Sequence, residues 1–158
     1  MIADASPLII LSKMNKLSLL KELFSHVNIP EQVRDEVLFD NKPGSIAIKR
    51  AIQEGWIHVI NCDRNPVYGL GKGEEAALYL AKKRGEKFLT DDKSAIQIAK
   101  VLNVPAVRTS SVIILAVSKK LIIKNEAIAI IDAMIKVGQY IGSLDYSRIR
   151  KVIDDIPP

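Results

Sequence analysis

The sequence predicts an α/β chain: a three-layer α/β/α sandwich around a mostly parallel central sheet. Short, wholly apolar segments alternate with longer segments of helical periodicity, and parallel strands need the crossover connections that such helices supply. The length agrees, because 158 residues suit one ordinary domain able to bury a core.

Ile2-Ala3-Asp4 is a short apolar start halted at Ser6-Pro7, and a proline in the first turn of a helix removes no donor the helix uses. It reads as a strand feeding a helix. From Leu8 to Phe24, Leu8, Leu11, Leu17, Leu20, Leu23 and Phe24 recur at helical spacing, with a break near Asn15, so two short helices are expected. Val27-Asn28-Ile29 then forms a second strand before Pro30. The stripe Val33, Val37, Phe39 predicts a helix ending before Asn41-Lys42-Pro43-Gly44.

A further helix is expected over Ser45 to Gln53, closed by Gly55, and Trp56 to Cys62 alternates as a strand or extended connector. The polar stretch Asp63 to Gly69 reads as a loop. Gly73 to Arg84 is helical in composition and closes at Gly85, leading into Lys87-Phe88-Leu89-Thr90-Asp91-Asp92, a buried strand ending in acid. Ser94 to Leu102 follows as a helix with Ser94 and Gln97 at capping-box spacing, then Val104 to Val107 as a strand. Ser110 to Ile122, Asn125 to Val137 and Ser143 to Asp155 complete the chain as three helices. The expectation is a single domain over 1–158, with 122–158 a C-terminal helical extension of unassigned role.

Composition narrows the function. Hydrophobic residues at 48% and charged residues at 26% exclude a disordered chain. Uncharged apolar runs such as Val112 to Val117 and Ala127 to Ile131 fall far short of the roughly 20 residues a bilayer span needs, so no membrane insertion is expected. Met1-Ile2-Ala3-Asp4 carries a carboxylate where a secretory leader would carry Lys or Arg, which predicts a cytoplasmic location. A lone Cys62 offers neither a disulfide nor a thiolate metal site. The balance of 23 basic against 18 acidic residues favours anionic partners, while aromatics at 5% leave little for base stacking. Nucleic acid, if bound, would be held by its backbone.

In open parallel sheets ligands collect beyond the carboxyl ends of the strands, where Asp4, Asp91 and Asp92 are expected. Each acid also has an ordinary reading. Asp4 suits an N-cap or Asx turn, Glu36 a solvated helix position, and Glu74 with Glu75 the positive end of a helix. Spacing separates them: Glu36 shares a face with Val33 and should point inward, and Glu74 shares a face with Ala77, Leu78 and Ala81 and should face the sheet. Glu75 lines up with Tyr79 and Lys82 and should face water or Lys82. Asp91 and Asp92 alternate at the strand end, so one can cap the helix at Ser94 while the other enters the cleft; Asp92 is favoured as the functional one. Four or five gathered carboxylates would raise one another's pKa unless a cation neutralised them. All-oxygen ligation suits Mg²⁺ or Mn²⁺, and His26 and His58 are expected away from the acids.

Asp4-Ala5-Ser6-Pro7-Leu8-Ile9, Ile29-Pro30 with Glu36-Val37, Gly71-Lys72-Gly73-Glu74-Glu75-Ala76 and Leu89-Thr90-Asp91-Asp92 resemble the PIN-domain family, in the branch similar to VapC-type toxins. The likeness runs in order from Ile2 to about Leu121. It implies a PIN fold and a Mg²⁺- or Mn²⁺-dependent endoribonuclease, dimeric and neutralised by a VapB-like antitoxin. It places the family's four acids on Asp4, Glu36, Glu74 and Asp92, with Ser6 as the hydroxyl supporting the first and Asp91 beside the last. Ala5 stands where relatives often carry Thr or Ser, and Glu74 where many carry Asp.

Two other readings compete. A PIN-fold module could bind RNA or a protein without cutting. Gly71-Lys72-Gly73-Glu74-Glu75-Ala76 also fits G-x-G-x-x-A, but two glutamates in the first helical turn oppose a pyrophosphate, and the motif does not follow the first strand. Lys82-Lys83-Arg84, Arg108 and Lys119-Lys120 are candidate RNA-phosphate contacts, as is Arg148-Ile149-Arg150-Lys151, and each also reads as a solvated face. Thr109 and Ser110 either reach the cleft or cap the next helix.

Overall fold

The computed structural model of the chain describes residues 1–39, 44–64 and 66–157. Its elements run β1 (Ile2–Ala3), α1 (Ala5–Lys13), α2 (Ser18–Phe24), β2 (Val27–Pro30), α3 (Glu31–Leu38), α4 (Ser45–Gln53) and β3 (Ile57–Ile60). They continue with α5 (Lys72–Arg84), β4 (Phe88–Leu89), α6 (Lys93–Val101), β5 (Ala106–Val107), α7 (Thr109–Ser118), α8 (Lys124–Lys136) and α9 (Ser143–Asp155). The five strands form one sheet in the order β3-β2-β1-β4-β5, and every pairing is parallel. With helices on the sheet's faces, the fold is the expected three-layer α/β/α sandwich. The chain divides into two compact units, Met1–Thr109 and Ser110–Pro158.

In the first unit the central strands are sealed on both sides. Ile2, Ala3, Phe88 and Leu89 are fully buried, as strands covered by helices on both faces must be. Parallel register pairs Ile2 with Phe88 and Ala3 with Leu89, so the chain continues past both strands with Asp4 alongside Thr90. α1 begins at once because Asp4 caps it, and Pro7 occupies its first turn. α5 lays the small residues Ala76, Ala77 and Ala81 against the core with Leu78 and Leu80. It ends at Gly85, whose left-handed φ of 64° suits glycine. In the second unit, Tyr146 OH donates to Asp132 Oδ1 at 2.6 Å and Lys124 Nζ to the Asp154 carbonyl at 2.6 Å, tying α9 to α8.

Several expectations change. Phe39 does not extend the buried stripe of α3: it follows the last turn in extended backbone, largely exposed. Asn41, Lys42 and Pro43, expected to end that helix, lie outside the described residues. Ser94 is not the cap of α6, because Asp92 takes that place and accepts the Ala95 N–H at 2.7 Å. α7 stops at Ser118 instead of Ile122, and Lys120 turns into the left-handed region at φ 59°. No described helix is long and apolar enough to cross a membrane.

Candidate active site

The acids meet where helices follow strands. Asp4 follows β1, Asp91 and Asp92 follow β4, Glu36 lies on the helix leaving β2, and Glu74 lies in the first turn of α5. Asp4 is buried, 1% exposed, with Oδ1 accepting the Ala5 N–H at 2.5 Å and Oδ2 accepting the Thr90 hydroxyl at 3.1 Å. Burial, with the Glu74 carboxylate and more weakly that of Glu36, raises the Asp4 pKa to about 7 against the lowering pull of those two hydrogen bonds. Glu74 is also raised, by burial and then by Asp92, Glu36 and Glu75, although its Oε2 accepts the Gly71 N–H at 3.0 Å. Asp4, Glu36, Glu74 and Asp92 therefore form one electrostatically linked group. None of the four enters an ion pair among the described residues.

Close helix packing brings Glu36 in. A Cβ on Gly73 would lie 3.0 Å from Glu36 Oε2 and 3.2 Å from Val33 Cγ2, so a larger residue there would press on both side chains where α3 and α5 meet. Glu36 is nevertheless exposed and stands at the rim, where an inward carboxylate was expected. Its position one residue before buried Val37 turns it off the core-facing stripe.

The remaining candidates separate. Asp91 accepts both the backbone N–H of Thr109 at 2.9 Å and its hydroxyl at 2.5 Å, linking the end of β4 to the first residue of α7. Capping and the cleft thus fall together on Asp92. Thr109 is buried and engaged with Asp91. Ser6, expected to support the first acid, lies half-buried in the first turn of α1, and the hydroxyl bonded to Asp4 is that of Thr90. Thr90 also accepts the Asp92 N–H at 3.2 Å. Sequence reasoning passed over it; the signal was its place beside Asp4 once β1 pairs with β4. Glu75 is partly exposed, as expected, and accepts the Tyr68 and Leu70 N–H groups at 2.7 and 3.1 Å, which lowers its pKa.

The basic candidates are spread along the chain. Lys82 lies about 12 Å along α5 from Glu74, at the helix's opposite end, with Lys83 and Arg84 beyond it. Lys83 is paired with Asp63 at 2.7 Å and Arg84 with Glu86 at 2.6 Å. Arg108 is half-buried just before Thr109, while Lys119 and Lys120 follow α7 in the second unit. Arg150 leans on Tyr146. His26 and His58 are exposed and stack on each other with centroids 5.4 Å apart. Gly71 and Gly73 open α5 after β3, with Gly73 tight against α3 and Glu74 capping the turn, so the dinucleotide-binding reading finds no phosphate cradle.

A family model described as DUF3368, PIN domain, matches residues 1–155. The chain belongs to the PIN-domain family. PIN domains are generally nucleases and typically use divalent metal ions, which suits the cluster here. No curated protein sequence matches this PIN domain. Among solved structures it is similar to a PilT N-terminus domain protein from the hyperthermophilic archaeon Sulfolobus solfataricus, at 20% identity and a TM-score of 0.44, covering 71% of this chain and 90% of that one.

The donor set fits a hard divalent ion. It is all oxygen, it gathers negative charge, and it includes a buried carboxyl with no cation on it among the described residues. Among those residues, no three His, Cys, Asp or Glu side chains form a ready-made cage. Binding would have to draw the carboxylates inward from their present rotamers.

Proposed function

We propose that this PIN domain is a Mg²⁺- or Mn²⁺-dependent endoribonuclease that hydrolyses RNA phosphodiester bonds, with Asp4, Glu36, Glu74 and Asp92 as its metal ligands and catalytic groups. The observation that supports it is the buried Asp4 carboxyl, held by two hydrogen bonds while Glu74 and Glu36 repel it. A bound divalent ion supplies Lewis-acid stabilisation of charge developing on the phosphodiester and makes water a better nucleophile. The chain's own groups do the rest. Ala5 N–H and Thr90 aim the Asp4 oxygens, and the Gly71 N–H orients Glu74. Glu36, at the open rim, is placed to accept a proton from incoming water. Asp91, through Thr109, keeps β4 and β5 in position beneath the acids, and Ser6 completes the first turn over Asp4.

In the cell we place this activity in the cytoplasm as the toxin of a type II toxin-antitoxin pair, acting as a homodimer restrained by a VapB-like antitoxin. The resemblance to VapC-type sequences supports that assignment. The deciding experiment incubates purified protein with a mixed RNA pool, with Mn²⁺ and with a chelator. Metal-dependent internal cuts, lost in Asp4→Asn and Glu74→Gln, are expected; equal cutting by both variants would end the assignment. A neighbouring reading frame for a small DNA-binding protein is expected if the toxin role is right.

A further inference from the structure

Beside the acid cluster lies a cavity of about 340 Å³ bounded by α3, the first turn of α5 and the connection after β3. Gln32, Arg64, Val67, Lys72 and Glu75 line it. Gln32 sits one turn before Glu36, about 6 Å along α3, and Lys72 and Glu75 flank Gly73 and Glu74. Cavity and acids therefore share two walls. Glu75 is engaged by the Tyr68 and Leu70 N–H groups, which draws the connection toward α5. Arg64 and Lys72 are exposed and enter no ion pair among the described residues. The Gln32 amide oxygen is shielded from solvent, yet accepts no hydrogen bond. Unsatisfied buried acceptors are rare in folded proteins, and a ligand donor is one way they are completed.

We propose that this cavity is a substrate subsite holding the nucleotide next to the scissile bond of single-stranded RNA, with Arg64 and Lys72 on its phosphate and the Gln32 amide turning to an N–H of its base. The inference rests on the ribonuclease reading above. Acids alone repel a polyanion, so a strand that reaches them needs cations one nucleotide away, and Lys82 to Arg84 stand at the wrong end of α5. Cations at the mouth with an amide inside match a phosphate outside and a polar base edge within. Val67 and Ala76 offer the base an apolar wall.

The test measures binding of a labelled single-stranded RNA pool to the full chain in chelator, across a salt series. The Arg64→Ala/Lys72→Ala double variant should bind about tenfold more weakly and flatten the slope of log affinity against log salt by about 1.4, since each single-strand phosphate contact contributes about 0.7. Lys82→Ala should leave the slope unchanged. In Mn²⁺ the double variant should raise KM with kcat within about twofold, and Gln32→Met should erase base preference at one position beside the cut. An unchanged slope and KM in the double variant would overturn the subsite. Wild-type protein that never cuts, yet shows the slope change, would sink the catalytic reading and leave the RNA contact standing.

Discussion

The Thr90 hydroxyl donates to Asp4 Oδ2 at 3.1 Å in a bond wholly inside the protein, with both residues buried. It joins the ends of two neighbouring strands that are 86 residues apart in the chain. The bond favours the ionised form of Asp4 against burial and against Glu74. Its loss should make that carboxylate harder to form.

Thr90→Val removes a hydrogen bond to a charged group, which is worth roughly 1.5–3 kcal/mol. The acidic limb of the pH profile of RNA cleavage should move up by about one unit, with cleavage at neutral pH falling about fivefold. Thr90→Ser should restore both. A pH profile that does not move in the valine variant would show that Thr90 only packs.

Asp4 also sets a pH dependence of stability. Its folded pKa of about 7 lies above the unfolded value of 3.8, so the folded state holds its proton more tightly. Asp4's contribution to the stability of the metal-free protein should be fully present below the unfolded value, fall as pH rises toward 7, and level off above, by an amount on the order of 4 kcal/mol. Asp4→Asn removes the charge and should unfold at higher denaturant than wild type at pH 8, while losing cleavage. A variant less stable than wild type at pH 8 would contradict the electrostatic account.

Divalent ions should reverse that penalty. At about 100-fold excess over its dissociation constant, one Mn²⁺ adds roughly 2.7 kcal/mol to folding stability, a melting-temperature rise of several degrees. Chelator should abolish the rise, and Asp4→Asn or Glu74→Gln should blunt it. An identical rise in both variants would place the ion elsewhere.

Gly73→Ala tests the contact between α3 and α5. The new methyl meets Val33, which is fully buried, at 3.2 Å and Glu36 Oε2 at 3.0 Å. Glu36 can swing away, and Val33 cannot easily. We expect a destabilisation of about 1–3 kcal/mol, together with loss of cleavage beyond what thermal denaturation explains. Full cleavage in a folded Gly73→Ala protein would remove Glu36 from the site.

Away from the acids, Glu86 shows the opposite electrostatic outcome with the same residue chemistry. Burial alone would raise it, but the N-terminal ammonium, Arg84 and Asn28 all bond to it and hold its pKa at about 2. Partners, and not residue type, decide which carboxylate is satisfied. Nothing in the spacing of Glu74 and Glu86 along the chain announces that difference.

The order of elements was readable from residues alone, because helical and strand periodicities are local properties of consecutive side chains. So was the choice of acids worth examining, since turns after strands and the faces of helices follow from spacing. Which strands become neighbours is not local. Only the pairing of β4 with β1 sets Thr90 against Asp4, and only its pairing with β5 brings Asp91 to Thr109. The direction of α5 likewise carries Lys82 away from the acids and brings Lys72 beside them. Periodicity records how a segment meets a core; it holds no record of which distant segment supplies the other side.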